Sequence, residues 1–301
     1  MKKNRTEIPE DYQFNLSDFA LFLSVMKNPR AYRSVVSTIM EEPDIQIKEV
    51  KVEQVVLNKS GKRAIRLDAW AKTTDERQFN MEMQNDTKGD DLKKRSRYYQ
   101  SLIDTPILKS GKETKYKMLP STVIIFITQE DIFERNLAKY TFTERCEEVE
   151  DLKLEDGTTK IFLNMCSKNG TPELVSMLQY MKETHLDNPE IVVKDSRLLE
   201  LDEIVQEVKE SEEWEAVKMN ILEIGKEIGK EIGEKIGKEI GKEIGIEIGK
   251  EIGMELGEKE YLKKQIQKKL DKGCSVEEIA DILEEPVEHI QELMKEWERE
   301  G

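Results

Sequence analysis

Hydrophobic and polar positions recur with two different periods in the first part of the chain. From residue 15 to residue 42 the apolar positions have helical spacing, and the capping segment Leu16-Ser17-Asp18 precedes them. Pro29 is expected to break this helix, with a second helix running from Ala31 to Met40. Three segments then alternate at period two and predict an antiparallel meander of strands: residues 46–58, 63–72 and 78–85.

The pattern beyond the meander changes back to helix and then to a buried strand. Residues 91–108 predict a basic amphipathic helix, and the continuous apolar run at residues 121–128 predicts a central strand. Strand and loop are expected over residues 131–170, and helices from Pro172 to about Val217. The predicted order is α-β-β-β-α-β, an α+β fold with a mixed sheet, in a domain spanning residues 1–220.

A tetrapeptide repeat, roughly I-G-K-E, defines the second segment, residues 221–258. Nine glycines recur four residues apart, and isoleucine or Leu256 precedes each of them. Each glycine costs a helix about 1 kcal/mol relative to alanine. Two interpretations remain open: a helix that associates with a second copy through its isoleucines and glycines, which predicts a homo-oligomer, or a linker produced by repeat expansion.

The third segment, residues 259–301, predicts a small tri-helical unit. Gly273 ends one helix, Ser275 and Glu278 form a capping box, and Pro286 begins the last helix. The unit resembles a helix-turn-helix, but its last helix carries acidic residues that phosphates would repel. We therefore interpret it as an assembly module. The acidic residues are Glu288, Glu292 and Glu296.

Composition narrows the chemistry that the chain can perform. No apolar run reaches the ~18 residues of a membrane span, and no apolar signal segment opens the sequence, so a cytoplasmic protein without membrane contact is expected. Two histidines and three scattered cysteines argue against a histidine-based triad, a zinc finger and a disulfide framework. Hydrolytic chemistry would therefore depend on carboxylates.

Two carboxylates lie on strands that are otherwise largely apolar. Asp68 follows Ile65 and Leu67, while Glu82 and Gln84 alternate with the apolar residues of the next predicted strand. Neighbouring buried carboxylates can share a divalent cation. The alternative is the ordinary polar alternation of half-exposed strands. The net charge of −15 opposes nucleic-acid binding, but residues 88–117 hold nine basic and four acidic residues, a local excess that suits a polyanion.

An ordered series of motifs resembles the Rpn-type recombination-promoting nucleases, also described as PD-(D/E)XK nuclease family transposases. The motifs extend over about residues 15–220: DFALFLSVMKNP from Asp18, RLDAWA, FNMEMQ, RSRYYQSLID, VIIFIT, YTF and DGTTKIFLN. The resemblance implies a restriction-endonuclease-like core acting on DNA. It further implies Mg²⁺, with Mn²⁺ as the alternative ion, held by Asp68, Glu82 and the backbone carbonyl of Met83.

The chain departs from the superfamily at Gln84, where lysine is usual. The resemblance makes Gln84 a candidate catalytic residue that orients water without supplying a charge. Candidates for the missing cation and for DNA contacts are Lys93, Lys94, Arg95, Arg97 and Tyr98. Tyr99 is either a phosphate contact or a packing residue. A third acidic ligand is sought among Glu41, Glu42 and Asp18.

Two functions follow from these expectations. The first is a Mg²⁺-dependent DNA endonuclease associated with recombination or mobile elements. The second is a nuclease-fold protein with weak or no catalysis that binds DNA and assembles through its repeat. Tolerance of Asp68→Ala would favour the second. An RNA-directed or antiphage nuclease is not separable from the first function by sequence.

Overall fold

The computed structural model describes residues 12–56, 63–87, 89–108 and 114–300. The helices are α1 (Phe19–Met26), α2 (Pro29–Met40), α3 (Leu92–Asp104), α4 (Pro172–Lys182), α5 (Ser196–Lys209), α6 (Glu212–Leu270), α7 (Val276–Leu283) and α8 (Val287–Glu300). The strands are β1 (Ile47–Val56), β2 (Ile65–Thr73), β3 (Gln78–Gln84), β4 (Thr122–Thr128), β5 (Lys139–Phe142) and β6 (Thr158–Asn164).

The six strands form one mixed sheet in the order β1-β2-β3-β4-β6-β5. Strands β1, β2 and β3 form the antiparallel meander, and β3, β4 and β6 run parallel. Strand β5 pairs antiparallel with β6 at the edge. Helix α3 connects the parallel strands β3 and β4, as a parallel crossover requires. The predicted α+β class and the order α-β-β-β-α-β are confirmed.

Some predicted boundaries were wrong or lie outside the described residues. Pro29 begins α2, a position at which a backbone N–H would have no partner within the helix, so proline is tolerated there. The Asn28 side chain caps the helix by accepting from the Arg30 N–H at 2.9 Å. The predicted start at Ala31 was therefore late. The end of the first predicted strand and three lysines of the basic segment lie outside the described residues: residues 57–58, Lys88, Lys109 and Lys112.

One face of the sheet is apolar and packs against α1, α2, α4 and α5. Strand β3 contributes Phe79, Met81 and Met83 to this face, and each is at most 5% exposed. The hydroxyl of buried Tyr32 in α2 donates to the carbonyls of Ala69 at 3.3 Å and Phe79 at 3.1 Å. This contact fixes α2 over β2 and β3.

The opposite face is covered by α3 and the loop after β4, and it mixes polar with apolar side chains. The polar residues of β3 lie here, at the even positions Gln78, Asn80, Glu82 and Gln84. The apolar cluster on this face consists of Ile65, Leu67, Trp70, Leu92, Tyr99, Leu102, Ile103, Ile124, Phe126, Tyr140 and Phe162. Helix α3 thus places its residues directly above the polar positions of β3.

The repeat lies within α6, a single helix of 59 residues. This helix continues through both predicted domain boundaries, so the first helix of the predicted tri-helical unit is the end of α6. The chain divides into two compact units between Glu223 and Ile224. Among the described residues, no helix is both long enough and apolar enough to cross a membrane.

The C-terminal unit packs the end of α6 against α7 and α8 through Ile266, Ile279 and Ile290. The predicted capping box is present, because Ser275 and Glu278 each accept from the backbone N–H of the other. Gly273 has a φ of +82°, the left-handed conformation that glycine tolerates and that ends α6.

Candidate active site

Strands β2 and β3 bring Asp68 and Glu82 together where their regular pairing stops. The strands pair from Lys72 and Gln78 to Ala69 and Met81. Beyond that point, the Asp68 backbone N–H donates to Glu82 Oε1 at 3.0 Å. The Met83 N–H donates to Asp68 Oδ2 at 3.1 Å. Each carboxylate therefore accepts a backbone hydrogen bond from the opposite strand, and the exchange keeps the two acids side by side.

Both acids are buried, with Asp68 5% and Glu82 0% exposed. Burial raises the pKa of the Asp68 carboxyl, and the Met83 hydrogen bond and the Arg95 charge lower it in part. Burial also raises the pKa of the Glu82 carboxyl, and the neighbouring Asp68 charge raises it further. Two adjacent buried carboxylates oppose folding, and such pairs are characteristic of functional sites.

Arg95 in α3 contacts the acid pair directly. Its Nη2 donates to Glu82 Oε2 at 3.0 Å and its Nη1 to Gln84 Oε1 at 3.0 Å. The Tyr99 hydroxyl accepts from Arg95 Nε at 2.9 Å and from Nη2 at 2.6 Å. Since Arg95 and Tyr99 are four residues apart, they lie on the same face of α3. Tyr99 is 6% exposed, so it packs and also orients the arginine.

The other cations of α3 lie further from the acid pair. Lys94 forms an ion pair with Asp91 at 3.1 Å, and Asp91 is also the residue that caps the helix. The Lys93 ammonium lies 4.7 Å from the centre of the Phe133 ring. Arg97 is exposed to solvent. All three remain on the surface of the basic helix.

A cleft of about 580 Å³ opens in front of Asp68, between β2 and α3. Four cationic residues line it: Arg63, Arg66, Lys94 and Arg95. The Tyr98 hydroxyl, also at the cleft, donates to the Arg63 carbonyl at 2.5 Å. Arg63 and Arg66 were not predicted from the sequence, although Arg66 lies two residues before Asp68 in the motif RLDAWA.

The three acids considered as a further ligand have other partners. Glu41 pairs with Lys139, Glu42 with Arg77 at 2.8 Å, and Asp18 accepts from the Asn15 N–H at 2.7 Å. Within residues 12–56, 63–87, 89–108 and 114–300, no group of three or more metal-binding side chains exists.

A fourth acid, Glu53 of β1, acts electrostatically on the site. Its charge contributes to the raised pKa of Asp68, after the larger effect of burial. Glu53 pairs with Arg66 at 3.3 Å and has a φ of +50°, a strained conformation for a residue with a side chain. Glu53 was not predicted from the sequence, because its position beside Asp68 depends on the pairing of β1 with β2.

The mixed sheet with helices on both faces has the restriction-endonuclease-like fold of nucleases. Residues 11–219 match the PD-(D/E)XK nuclease family transposases. The chain belongs to this family, so the suspected relationship is confirmed, and the family indicates a nuclease-type, transposase-associated enzyme. Comparison with curated proteins and with solved structures finds no match.

Proposed function

We propose that the protein is a Mg²⁺-dependent DNA endonuclease that hydrolyses phosphodiester bonds, with Mn²⁺ as an alternative ion. The observation that carries the proposal is the buried pair of Asp68 and Glu82 beside a cleft lined by four cations. Carboxylates supply metal ligands, and cations attract the DNA backbone. The family supports the proposed role in recombination, and the sequence supports the proposed cytoplasmic location.

The donor set suits a hard divalent cation. Asp68 Oδ2 accepts the Met83 N–H, whereas Oδ1 accepts no hydrogen bond from the described residues. Two carboxylates, with the Met83 carbonyl as the expected further ligand, leave positions for water and a phosphate oxygen, as Mg²⁺ prefers. When bound, such an ion acidifies a water molecule and neutralises developing charge on phosphate.

The side chains of the cleft would bind and orient the DNA. Arg63, Arg66 and Lys94 line the same opening as Asp68 and can contact successive phosphates. Lys93, Arg97 and Tyr98 of α3 extend the contact surface. In the reaction, a water oxygen bonds to phosphorus and the bond to the sugar oxygen breaks. The water loses a proton, and the leaving oxygen gains one.

We further propose that the repeat of α6 joins two copies of the chain. Ile248, Ile252 and Leu256 are 50%, 51% and 59% exposed, which is costly for isoleucine and leucine without a partner. A Cβ added at Gly249 or Gly253 would meet nothing within 4 Å, so a second helix has room to approach. Light scattering should report an oligomer that Gly249→Leu with Gly253→Leu dissociates.

An alternative function has its own support. Gln84 lacks the charge of the usual lysine, and the exposed isoleucine row favours assembly. The alternative is therefore a DNA-binding protein with little or no turnover, assembled through α6. Cleavage by the wild type decides between the two functions.

The decisive experiment incubates the full chain with supercoiled plasmid in Mg²⁺, in Mn²⁺ and in EDTA. Asp68→Asn and Glu82→Gln remove the two acids at nearly constant volume, and Glu207→Gln removes an exposed acid of α5 as the matched control. We expect metal-dependent nicking by the wild type and the control, and none by the two site variants. Absence of nicking with retained DNA binding would reject the nuclease and favour the alternative.

A further inference from the structure

Arg95 occupies an oxygen of Glu82 that a metal ion would need. Glu82 Oε1 accepts from the Asp68 N–H at 3.0 Å and from Asn80 Nδ2 at 2.9 Å. Glu82 Oε2 accepts from Arg95 Nη2 at 3.0 Å. Three hydrogen bonds therefore reach a carboxylate that is fully buried. A cation approaching Oε2 from the cleft meets the guanidinium first.

Gln84 faces the arginine with its amide oxygen. The guanidinium is a donor at every nitrogen, so only the acceptor end of the amide can lie 3.0 Å from Arg95 Nη1. This hydrogen bond directs the amide oxygen at the arginine. Gln84 therefore positions Arg95 and does not present this oxygen to a water molecule.

The guanidinium lies between the acids and the cleft, beside two aromatic rings. It lies 5.0 Å from the centre of the Tyr99 ring and 5.7 Å from that of Phe126. Its side chain is nevertheless 21% exposed and lines the cleft together with Asp68. The guanidinium therefore borders both Glu82 and the cleft, from which an anion can reach it.

We propose that Arg95 and a divalent cation compete for Glu82, and that the released Arg95 binds the DNA phosphate. Arg95 then supplies the positive charge that the residue at position 84 lacks, while Gln84 and Tyr99 are positioning residues. The inference rests on the proposed function, because the phosphate is that of the DNA substrate. It assigns the guanidinium two alternative partners, Glu82 without the metal and phosphate with it.

The test measures DNA affinity with and without a cation. A short fluorescein-labelled duplex is titrated with the full chain in EDTA and in Ca²⁺, a hard cation that takes the same oxygen ligands. In EDTA, Arg95→Gln should weaken DNA binding only slightly, because Glu82 engages Arg95 and only its long-range attraction is lost. In Ca²⁺ the variant should bind about tenfold more weakly, since a charge-assisted contact is missing.

Two controls separate this competition from simple charge removal. Lys94→Gln removes a cation from the same cleft that does not touch Glu82, so it should weaken binding equally in EDTA and in Ca²⁺. Arg95→Lys keeps the charge and provides a second variant if Arg95→Gln does not fold. It should retain part of the Ca²⁺-dependent affinity. Equal weakening of Arg95→Gln in both conditions would overturn the inference.

The two possible roles of position 84 predict opposite effects of Gln84→Lys on kcat. If position 84 performed the usual task of lysine, this variant would raise the kcat for nicking. We expect a fall of about tenfold in kcat and loss of the Ca²⁺-dependent affinity, because an ammonium would repel the guanidinium that Gln84 now holds. An increase in kcat would overturn the inference. If the wild type does not nick DNA, the proposed catalysis fails, while the binding test still decides the role of Arg95.

Discussion

The two faces of strand β3 are both buried, but one carries apolar side chains and the other carries polar and charged side chains. Phe79, Met81 and Met83 face four helices in a continuous apolar core. The intervening residues Asn80 and Glu82 are equally buried but face a single helix, and they depend on hydrogen bonds and one arginine for compensation. The first face stabilises the fold by removing apolar surface from water. The second face keeps charge out of water at a cost in stability.

The difference indicates on which face of the sheet we expect the functional residues to lie. The side chains of the apolar face need no hydrogen-bond partners, because they require only neighbours of suitable volume. The polar face is incompletely satisfied: Asn80 Oδ1 is buried and has no hydrogen-bond partner among the described residues. Such groups persist when a ligand or a reaction requires them. Substitutions on the two faces should therefore affect different properties of the protein.

The largest expected effect is on cleavage, from Glu82→Gln on the polar face. We expect nicking to fall by more than about 10²-fold, because the glutamine amide is a poor metal ligand. The free energy of unfolding should change little at neutral pH, because glutamine removes a buried charge but also weakens the contact with Arg95. Plasmid nicking and urea unfolding measure the two properties. A strongly destabilised variant would contradict the contrast between the faces.

The neighbouring substitution Met81→Ala should act in the reverse sense. It creates a cavity in the apolar core, where Met81 is 0% exposed, and should lower the free energy of unfolding by about 2–5 kcal/mol. The variant that remains folded should retain metal-dependent nicking at low temperature. Urea unfolding followed by circular dichroism provides the measurement. Selective loss of metal dependence without loss of stability would break the comparison.

The pH dependence of stability should also separate the faces. Asp68 and Glu82 have raised pKa values, so the folded state binds more protons than the unfolded state. Without metal, the free energy of unfolding should therefore fall as pH rises from about 4 towards the raised values. Mg²⁺ should reduce this fall, because the ion binds the ionised acids. Urea titrations across this range should show a smaller fall for Glu82→Gln than for the wild type, and equal slopes would contradict the assignment.

Glu200 lies between α2 and α5 on the apolar side of the sheet. We expect it to make a smaller contribution to the pH dependence of stability, with the opposite sign. Burial alone would raise its pKa, but hydrogen bonds from Ser34 at 2.7 Å and from Arg33 and Arg30 lower it to about 2. This contribution to stability is present above pH ~4 and is lost as pH falls towards 2. Glu200→Gln should cost less than about 1 kcal/mol at neutral pH, because the ion pairs are partly exposed. A larger loss at neutral pH than at low pH would support the prediction, and the reverse order would contradict it.

The sequence alone determined the elements and the family. Alternation at period two identified the meander, helical spacing identified α3, and a continuous apolar run identified the buried strand β4. The motif series identified the family and, through it, the expected carboxylates. The boundary at Pro29 was misplaced because proline can begin a helix as well as interrupt one.

Only the tertiary structure selected Arg95 from four neighbouring cations on α3. Lys93, Lys94, Arg95 and Arg97 are equally basic in sequence, and the packing of α3 on the sheet turns one of them towards Glu82 and Gln84. The cleft arginines Arg63 and Arg66 were missed for the same reason. Local periodicity specifies which way a side chain leaves its own element. Which groups it meets depends on how distant elements pack, and for this protein that packing decided the surroundings of the two acids.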